Sequence, residues 1–239
     1  MCPALVLAAG RGERMRPLTD HTPKPLLPLH GRPLMGWTLA ALLRDGVRDL
    51  TVNTAWLGDQ VARFCRAREG WPADARLHLS EEGRDFGRAL ETAGGIARAC
   101  PWREDTLCWV VAGDVHLPDF RFEAEAVARF RAGDDLAHLW LVPNPSHHPG
   151  GDFGLDAEGR VHNEGPSRLT YSTVALLRRN LFETPWSDLP PGNPQGVAAP
   201  LAPLLRRAVA AGRVGGSVYL GRWTDVGTPQ RLAALERGD

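Results

Sequence analysis

Ala8-Ala9-Gly10-Arg11-Gly12-Glu13-Arg14-Met15-Arg16 sets two glycines and three arginines at the end of an apolar stretch. Backbone N–H groups of a glycine-rich loop that follows a strand can converge on phosphate oxygens. A lone Gly-x-Gly is equally a tight turn. Spacing excludes two phosphate loops, because Met15 stands where both G-x-x-x-x-G-K-[ST] and G-x-G-x-x-G need their last glycine. Thr22-Pro23-Lys24-Pro25 follows, and Lys24 is the single lysine among 28 basic residues. A coding bias toward arginine explains the depletion but not the survivor's place. An ammonium is a compact charge that fits where a guanidinium fork does not. The flanking prolines restrict the backbone that aims it. Ala9, Gly10, Arg11 and Gly12 with Arg14 and Lys24 suit a triphosphate, whose charge grows as pyrophosphate leaves.

Two aspartates offer a second chemistry. Asp114 follows the apolar run Leu107–Ala112 and Gly113, and Asp225 lies far along the chain in Trp223-Thr224-Asp225-Val226-Gly227-Thr228. A carboxylate at the carboxyl end of a central strand points into the crevice where open α/β sheets bind ligands. Two such groups, with phosphate oxygens and waters, suit Mg²⁺. Either aspartate alone is also a strand-end turn or a helix cap.

The elements that must position these groups read as an alternating series. Ala4–Ala8, Leu50–Asn53, Leu77–Leu79, Leu107–Ala112 and Ala137–Val142 are predicted strands. Between them, Pro33 begins a helix stopped by Gly46, and helices are predicted over 59–68, 92–99 and 123–130. This pattern predicts a three-layer α/β/α fold with a mostly parallel central sheet. Later, 153–155, 160–162 and 171–177 read as short strands, and 187–200 as a Pro- and Gly-rich, mobile loop. Helices over 201–211 and 229–236 enclose a strand at 217–220. No linker divides the chain, so 1–239 is expected to form one domain.

The 239 residues carry 28 acidic and 28 basic side chains, so no net positive field exists to hold a nucleic-acid backbone. No apolar run approaches the roughly 20 residues of a membrane span. Cys2, Cys65, Cys100 and Cys108 lack C-x-x-C spacing and read as buried thiols of a reducing compartment. The apolar start has no basic leader, which places the protein in the cytoplasm. Oligomeric state is left open between monomer and dimer.

L-A-A-G-x-G-x-R-x-x-P-L-T followed by P-K-P-L-L-P resembles the signature of the sugar-1-phosphate nucleotidyltransferases, and the likeness covers nearly the whole chain. It implies the nucleotide-diphospho-sugar transferase fold, a nucleoside triphosphate, a sugar 1-phosphate and Mg²⁺. It implies that Gly10, Gly12, Arg14 and Lys24 meet the nucleotide phosphates. The family pairs G-D and W-x-D-V-G-T as metal-binding segments, which assigns Asp114 and Asp225. The attacking sugar phosphate is already ionised, so no general base is required, and no Ser, Cys or His here has the pattern of an activated nucleophile. In Leu90-Glu91-Thr92-Ala93-Gly94-Gly95, Gly94 and Gly95 would let a planar base approach, with Thr92 as a helix cap. Gly151 and Glu164 match family positions that touch the sugar, though both segments also read as surface turns. Tyr171 would line the far wall.

Within the family the chain resembles uridylyltransferases of N-acetylmuramic acid α-1-phosphate, which serve cell-wall recycling. The likeness runs through N-x-A-W-L-G at Asn53–Gly58, Asn144–His148 and Gly151-Asp152-Phe153. Ala112, Ala93 and Thr173 depart from that pattern. UTP is therefore the expected nucleotide. The alternative is another pair of the same reaction, such as GTP with mannose 1-phosphate or dTTP with glucose 1-phosphate, and a non-catalytic nucleotide-sugar sensor is the alternative of another class. His147 and His148 read as a solvated turn, and no acyltransferase domain is expected after the last helix.

Overall fold

A computed structural model describes residues 1–100, 102 and 106–238. Strand β1 (Ala4–Ala8) is apolar on both faces because it runs through the middle of the molecule. It is followed by the hairpin β2 (Pro28–Leu29) and β3 (Arg32–Pro33), helix α1 (Leu34–Arg44), β4 (Asp49–Thr54), α2 (Gly58–Ala67) and β5 (Arg76–Glu81). Then come α3 (Glu82–Phe86), α4 (Glu91–Ala99), β6 (Leu107–Ala112), β7 (Val115–His116), α5 (Ala124–Ala132) and β8 (Ala137–Val142). The last part holds β9 (Phe153–Leu155), β10 (Val161–His162), β11 (Arg168–Arg178), α6 (Leu201–Ala210), β12 (Val214–Val218), β13 (Thr224–Asp225) and α7 (Pro229–Arg237).

The main sheet runs β10-β9-β11-β6-β1-β4-β5, with β8 joined to β11 and β12 to β8. β6, β1, β4 and β5 are parallel, whereas β11 is antiparallel to β6. The chain leaves β1 toward β4 and returns to β6 on its other side. A crevice therefore opens beyond the carboxyl ends of β1 and β6, the usual ligand position in such sheets. Alternate strand residues feed two cores. Val6, Trp109 and Leu176 pack with α1, α2 and α5, while Leu5, Val110 and Leu177 pack with α4 and α6. The expected three-layer arrangement is what forms.

Two expectations fail for identifiable reasons. The late strand is Val214–Val218 rather than 217–220, and Leu220 is 80% exposed. Gly215 and Gly216 lower the local strand signal, yet they are needed there: a Cβ on Gly216 would sit 2.8 Å from Val161 Cγ2. The 187–200 segment is not a free loop. Asn193 is fully buried and donates from Nδ2 to Gly94 O (3.0 Å) and Val197 O (2.8 Å). Among the described residues, no helix is long and apolar enough to cross a membrane.

Candidate active site

The loop after β1 is shaped by glycine and anchored by methionine. Gly12 adopts φ 67°, ψ 40°, a left-handed conformation that L side chains resist. A Cβ there would also lie 3.0 Å from Lys24 Cβ and 3.1 Å from Thr19 Cγ2. Thr19 Oγ1 donates to Gly12 O at 2.8 Å and closes the loop. Met15 is fully buried with Leu27, Leu29, Leu34 and Val226, so one small core seats both the loop and the residue after Asp225. Gly10 serves differently: among the described residues nothing lies within 4 Å of where its Cβ would be. Its missing side chain leaves open space in a cavity of about 400 Å³ lined by Gly10, Arg11, Gly12, Arg14, Lys24 and Asp114, among others.

Lys24 begins a short 3₁₀ turn between Pro23 and Pro25 and is only 8% exposed. Its ammonium is ion-paired to Asp114 Oδ2. Asp114 is delivered by Gly113, whose N–H donates to Leu7 O at 2.8 Å and locks the ends of β6 and β1 together. The β7–β13 ladder then sets Asp225 opposite Val115, and Val226 N–H donates to Asp114 O at 3.4 Å. Two carboxylates 111 positions apart in sequence thus share one corner of the crevice. Asp225 Oδ2 accepts from Arg231 Nη1 at 2.8 Å. That guanidinium also lies 2.8 Å from His147 Nε2. Burial, then the Arg231 charge, lower the His147 pKa and favour the neutral ring that accepts this bond. Each carboxylate therefore faces a cation, and two carboxylates with an adjoining phosphate-sized cavity are a donor set suited to Mg²⁺.

A profile described as nucleotidyl transferase matches residues 3–238. The chain belongs to the nucleotidyl transferase family. It is similar to the N-acetylmuramate alpha-1-phosphate uridylyltransferase of Neisseria meningitidis serogroup B, with 43% identity over 96% of this chain and 94% of that protein. The protein of the same name from Caulobacter vibrioides is 31% identical over 98% of this chain and 95% of its own. HddC from Yersinia pseudotuberculosis, complexed with GMP-PN, shares the fold at a TM-score of 0.73 and 18% identity, covering 100% of this chain and 99% of that one.

The remaining expected positions of this nucleotidyl transferase fall in two further groups. Gly94 and Gly95 are buried in the first turns of α4, but the space their missing side chains leave is filled by protein. A Cβ would lie 2.4 Å from Val197 O at Gly94, and 2.7 Å from Glu82 Oε1 at Gly95. The 193–199 segment and a buried carboxylate occupy those two spaces. Thr92 is not the cap, since the helix starts at Glu91 with Leu90 as its N-cap. The N–H groups of Ala93 and Gly94 both donate to Ala199 O.

Gly151, Glu164 and Tyr171 gather along the β9–β11 ladder. Gly151 has φ +59, and a Cβ there would meet the Arg168 backbone and Asn144 Oδ1 at 2.8 Å. Glu164 is 85% exposed at its side chain and lies 3.7 Å from Arg168 Nη1. Tyr171 is half-buried against the α4 and α6 core, and burial raises its hydroxyl pKa. Its N–H donates to Asp152 Oδ2, and Asp152 Oδ1 lies 3.1 Å from His148 Nε2. The 144–151 turn links this group to the cavity, because His147 reaches Arg231 and Asp225. His147 sits in the exposed turn expected for it, and from there it also reaches the site corner. Arg231 and Glu82 carry no local signal in the sequence, whereas Trp56 stands in the Asn53–Gly58 motif. Trp56 carries the Arg11 guanidinium on its face at 3.5 Å. Arg11 Nη1 is buried with no hydrogen-bond partner among the described residues.

Proposed function

We propose that residues 1–239 act as one catalytic domain that transfers UMP from UTP to N-acetylmuramic acid α-1-phosphate, releasing pyrophosphate, in cytoplasmic reuse of a cell-wall sugar. A phosphate oxygen of the sugar 1-phosphate forms a bond to the α-phosphorus. The bond from that phosphorus to the β-phosphate bridge breaks, and pyrophosphate leaves with the electron pair. Lys24 presented beside Asp114, at the mouth of the Gly10–Gly12 loop, is the observation that carries the reaction class. The 43% identity over 96% of the chain carries the choice of substrates.

Asp114 and Asp225 would hold Mg²⁺, which supplies charge neutralisation at the α-phosphate and screens the two approaching anions. Ala9, Gly10, Arg11 and Gly12 bind the triphosphate with backbone amides and a cation, in the left-handed geometry that Gly12 permits. Arg14 and Lys24 stabilise charge as pyrophosphate departs. Lys24 can do so because it is buried and desolvated, where a fixed charge counts for more than in water. Gly94 and Gly95 shape the base side through the segments packed on them. Gly151, Glu164 and Tyr171 bound the sugar side. The chemistry is otherwise in-line positioning, worth several kcal/mol of barrier.

Pyrophosphate release tests the reading, with Mg²⁺ and UTP plus N-acetylmuramic acid 1-phosphate against GTP plus mannose 1-phosphate. Asp114→Asn serves as the blank. Turnover with the first pair alone is expected. Turnover with the second alone overturns the substrate assignment, and binding of UTP without turnover of any pair overturns catalysis.

A further inference from the structure

Glu82 is a carboxylate with 1% exposure in the interior, and the chemistry above makes no use of it. Burying an ionised carboxylate is costly unless its oxygens are hydrogen-bonded. Both are. Oε1 accepts from Asn53 Nδ2 at 2.7 Å, and Oε2 accepts from the Leu90 N–H at 2.8 Å. Asn53 is itself buried, and its Oδ1 accepts from the Ala8 N–H at 2.9 Å. Three hydrogen bonds therefore run from the last residue of β1, through β4 and the first residue of α3, to the N-cap of α4. Ala8 directly precedes the Ala9–Gly12 loop, and Leu90 directly precedes the 91–95 turn. Gly95 leaves room for the relay, since a Cβ there would lie 2.7 Å from Glu82 Oε1 and 2.9 Å from Asn53 Nδ2.

Resting on the reading that the 9–14 loop and the 90–95 turn flank one nucleotide, we propose that Asn53 and Glu82 are positioning residues that hold the phosphate end and the base end of the nucleotide site in register. Neither side chain need touch substrate. Each donor and acceptor has a fixed direction: Ala8 and Leu90 both offer N–H groups, and one amide with one ionised carboxylate between them satisfies every bond. Burial pushes the Glu82 pKa up, which is the cost the N–H donors offset. A misplacement of about 1 Å, even from a change far from the chemistry, can cost roughly 10²-fold in rate.

The direction of the relay supplies its own test. Glu82→Gln alone sets two N–H donors against each other, and Asn53→Asp alone sets two carboxylates together. Asn53→Asp combined with Glu82→Gln restores every bond with the charge moved one residue along. Calorimetric titration with UTP and Mg²⁺, without sugar phosphate, is run on the wild-type chain first. Absence of binding there refutes the nucleotide reading itself, not the relay. Given wild-type binding, each single variant is expected to raise the UTP Kd at least tenfold and to leave the KM of the sugar 1-phosphate within threefold. The double variant is expected to return the Kd to within threefold of wild type. Asp45→Asn weakens a different, half-buried set, the bonds from Phe122 N–H and Arg44, and is expected to lower stability with no change in UTP affinity. Folded single variants with wild-type Kd overturn the proposal. So does a double variant that fails to fold or stays tenfold weak, because it keeps every hydrogen bond invoked.

Discussion

Thr173→Gly is expected to stabilise the protein, against the usual direction for glycine in a strand. Thr173 lies in the irregular part of β11, where the register with β8 shifts between Tyr171 and Ala175, and its φ is +65°. For an L residue the left-handed region costs about 1–2 kcal/mol, and a β-branched side chain is a clear outlier there. Its Oγ1 is buried with no hydrogen-bond partner among the described residues, which adds about 1 kcal/mol or more. Against these stand the greater unfolded-state freedom of glycine, about 0.5–1 kcal/mol, and a lost methyl group, about 0.8 kcal/mol. The balance is a gain of about 1 kcal/mol, or roughly 2–4 °C in Tm for a chain of this size. Urea unfolding midpoints at unchanged m would measure it. Thr173→Ala separates the two sources, because it removes the hydroxyl and keeps the Cβ that resists positive φ. Alanine should recover well under half of the glycine gain. A Thr173→Gly variant less stable than wild type, or an alanine variant that matches it, refutes the strain argument. The strain sits beside the site: Ser172 O accepts from Trp223 Nε1 at 3.0 Å, two residues before Asp225. Stored strain of this kind collects at functional walls.

Lys24→Arg keeps the charge but enlarges a head group that is 8% exposed beneath Gly12 and beside Asp114; kcat for pyrophosphate release should fall about 10²-fold or more, and a loss under tenfold refutes the need for a compact charge. His138 has its pKa lowered to about 4 by burial, from the model-peptide value 6.5. The unfolded chain therefore takes up a proton as pH falls through 6.5 while the folded chain does not until about 4, so stability is lost across that window at up to about 1.4 kcal/mol per pH unit. His138→Gln should flatten the acid limb of urea midpoints between pH 7 and 5, and an unchanged slope refutes the assignment.

What could be read along the chain was chemistry carried by neighbours in sequence. Gly10, Gly12, Lys24 and Asp225 stand in short motifs because a loop, a turn and a strand end each need those residue types at fixed local spacing. The parallel strands were equally legible, since β1, β6 and β8 are apolar runs bounded by breakers. Gly94 and Gly95 show where local reading stops. Their small size is a local fact, but what occupies the space comes from Val197 in the 193–199 segment at Gly94 and from Glu82 of α3 at Gly95. Asn53 and Glu82 are 29 positions apart, and Asn53 and Ala8 are 45; no periodicity or motif joins them. The contact of His147 with Arg231 is illegible for the same reason, because its partner is 84 positions on.

The same division explains how one sheet can serve a multi-part site. The residues proposed to meet phosphate sit at strand ends or on turns next to them, where the backbone may bend freely toward a ligand. The groups that fix those turns lie one layer deeper: Thr19 under Gly12, Gly113 against Leu7, and the Asn53–Glu82 pair under Ala8 and Leu90. Surface turns alone would let Lys24, Asp114 and Asp225 drift relative to one another. Met15 and Val226 share one small core, which joins the first loop to the residue after Asp225. Exchanging residues in the exposed turns can retune which sugar or base is held, while changes in the buried seat act on every substrate at once.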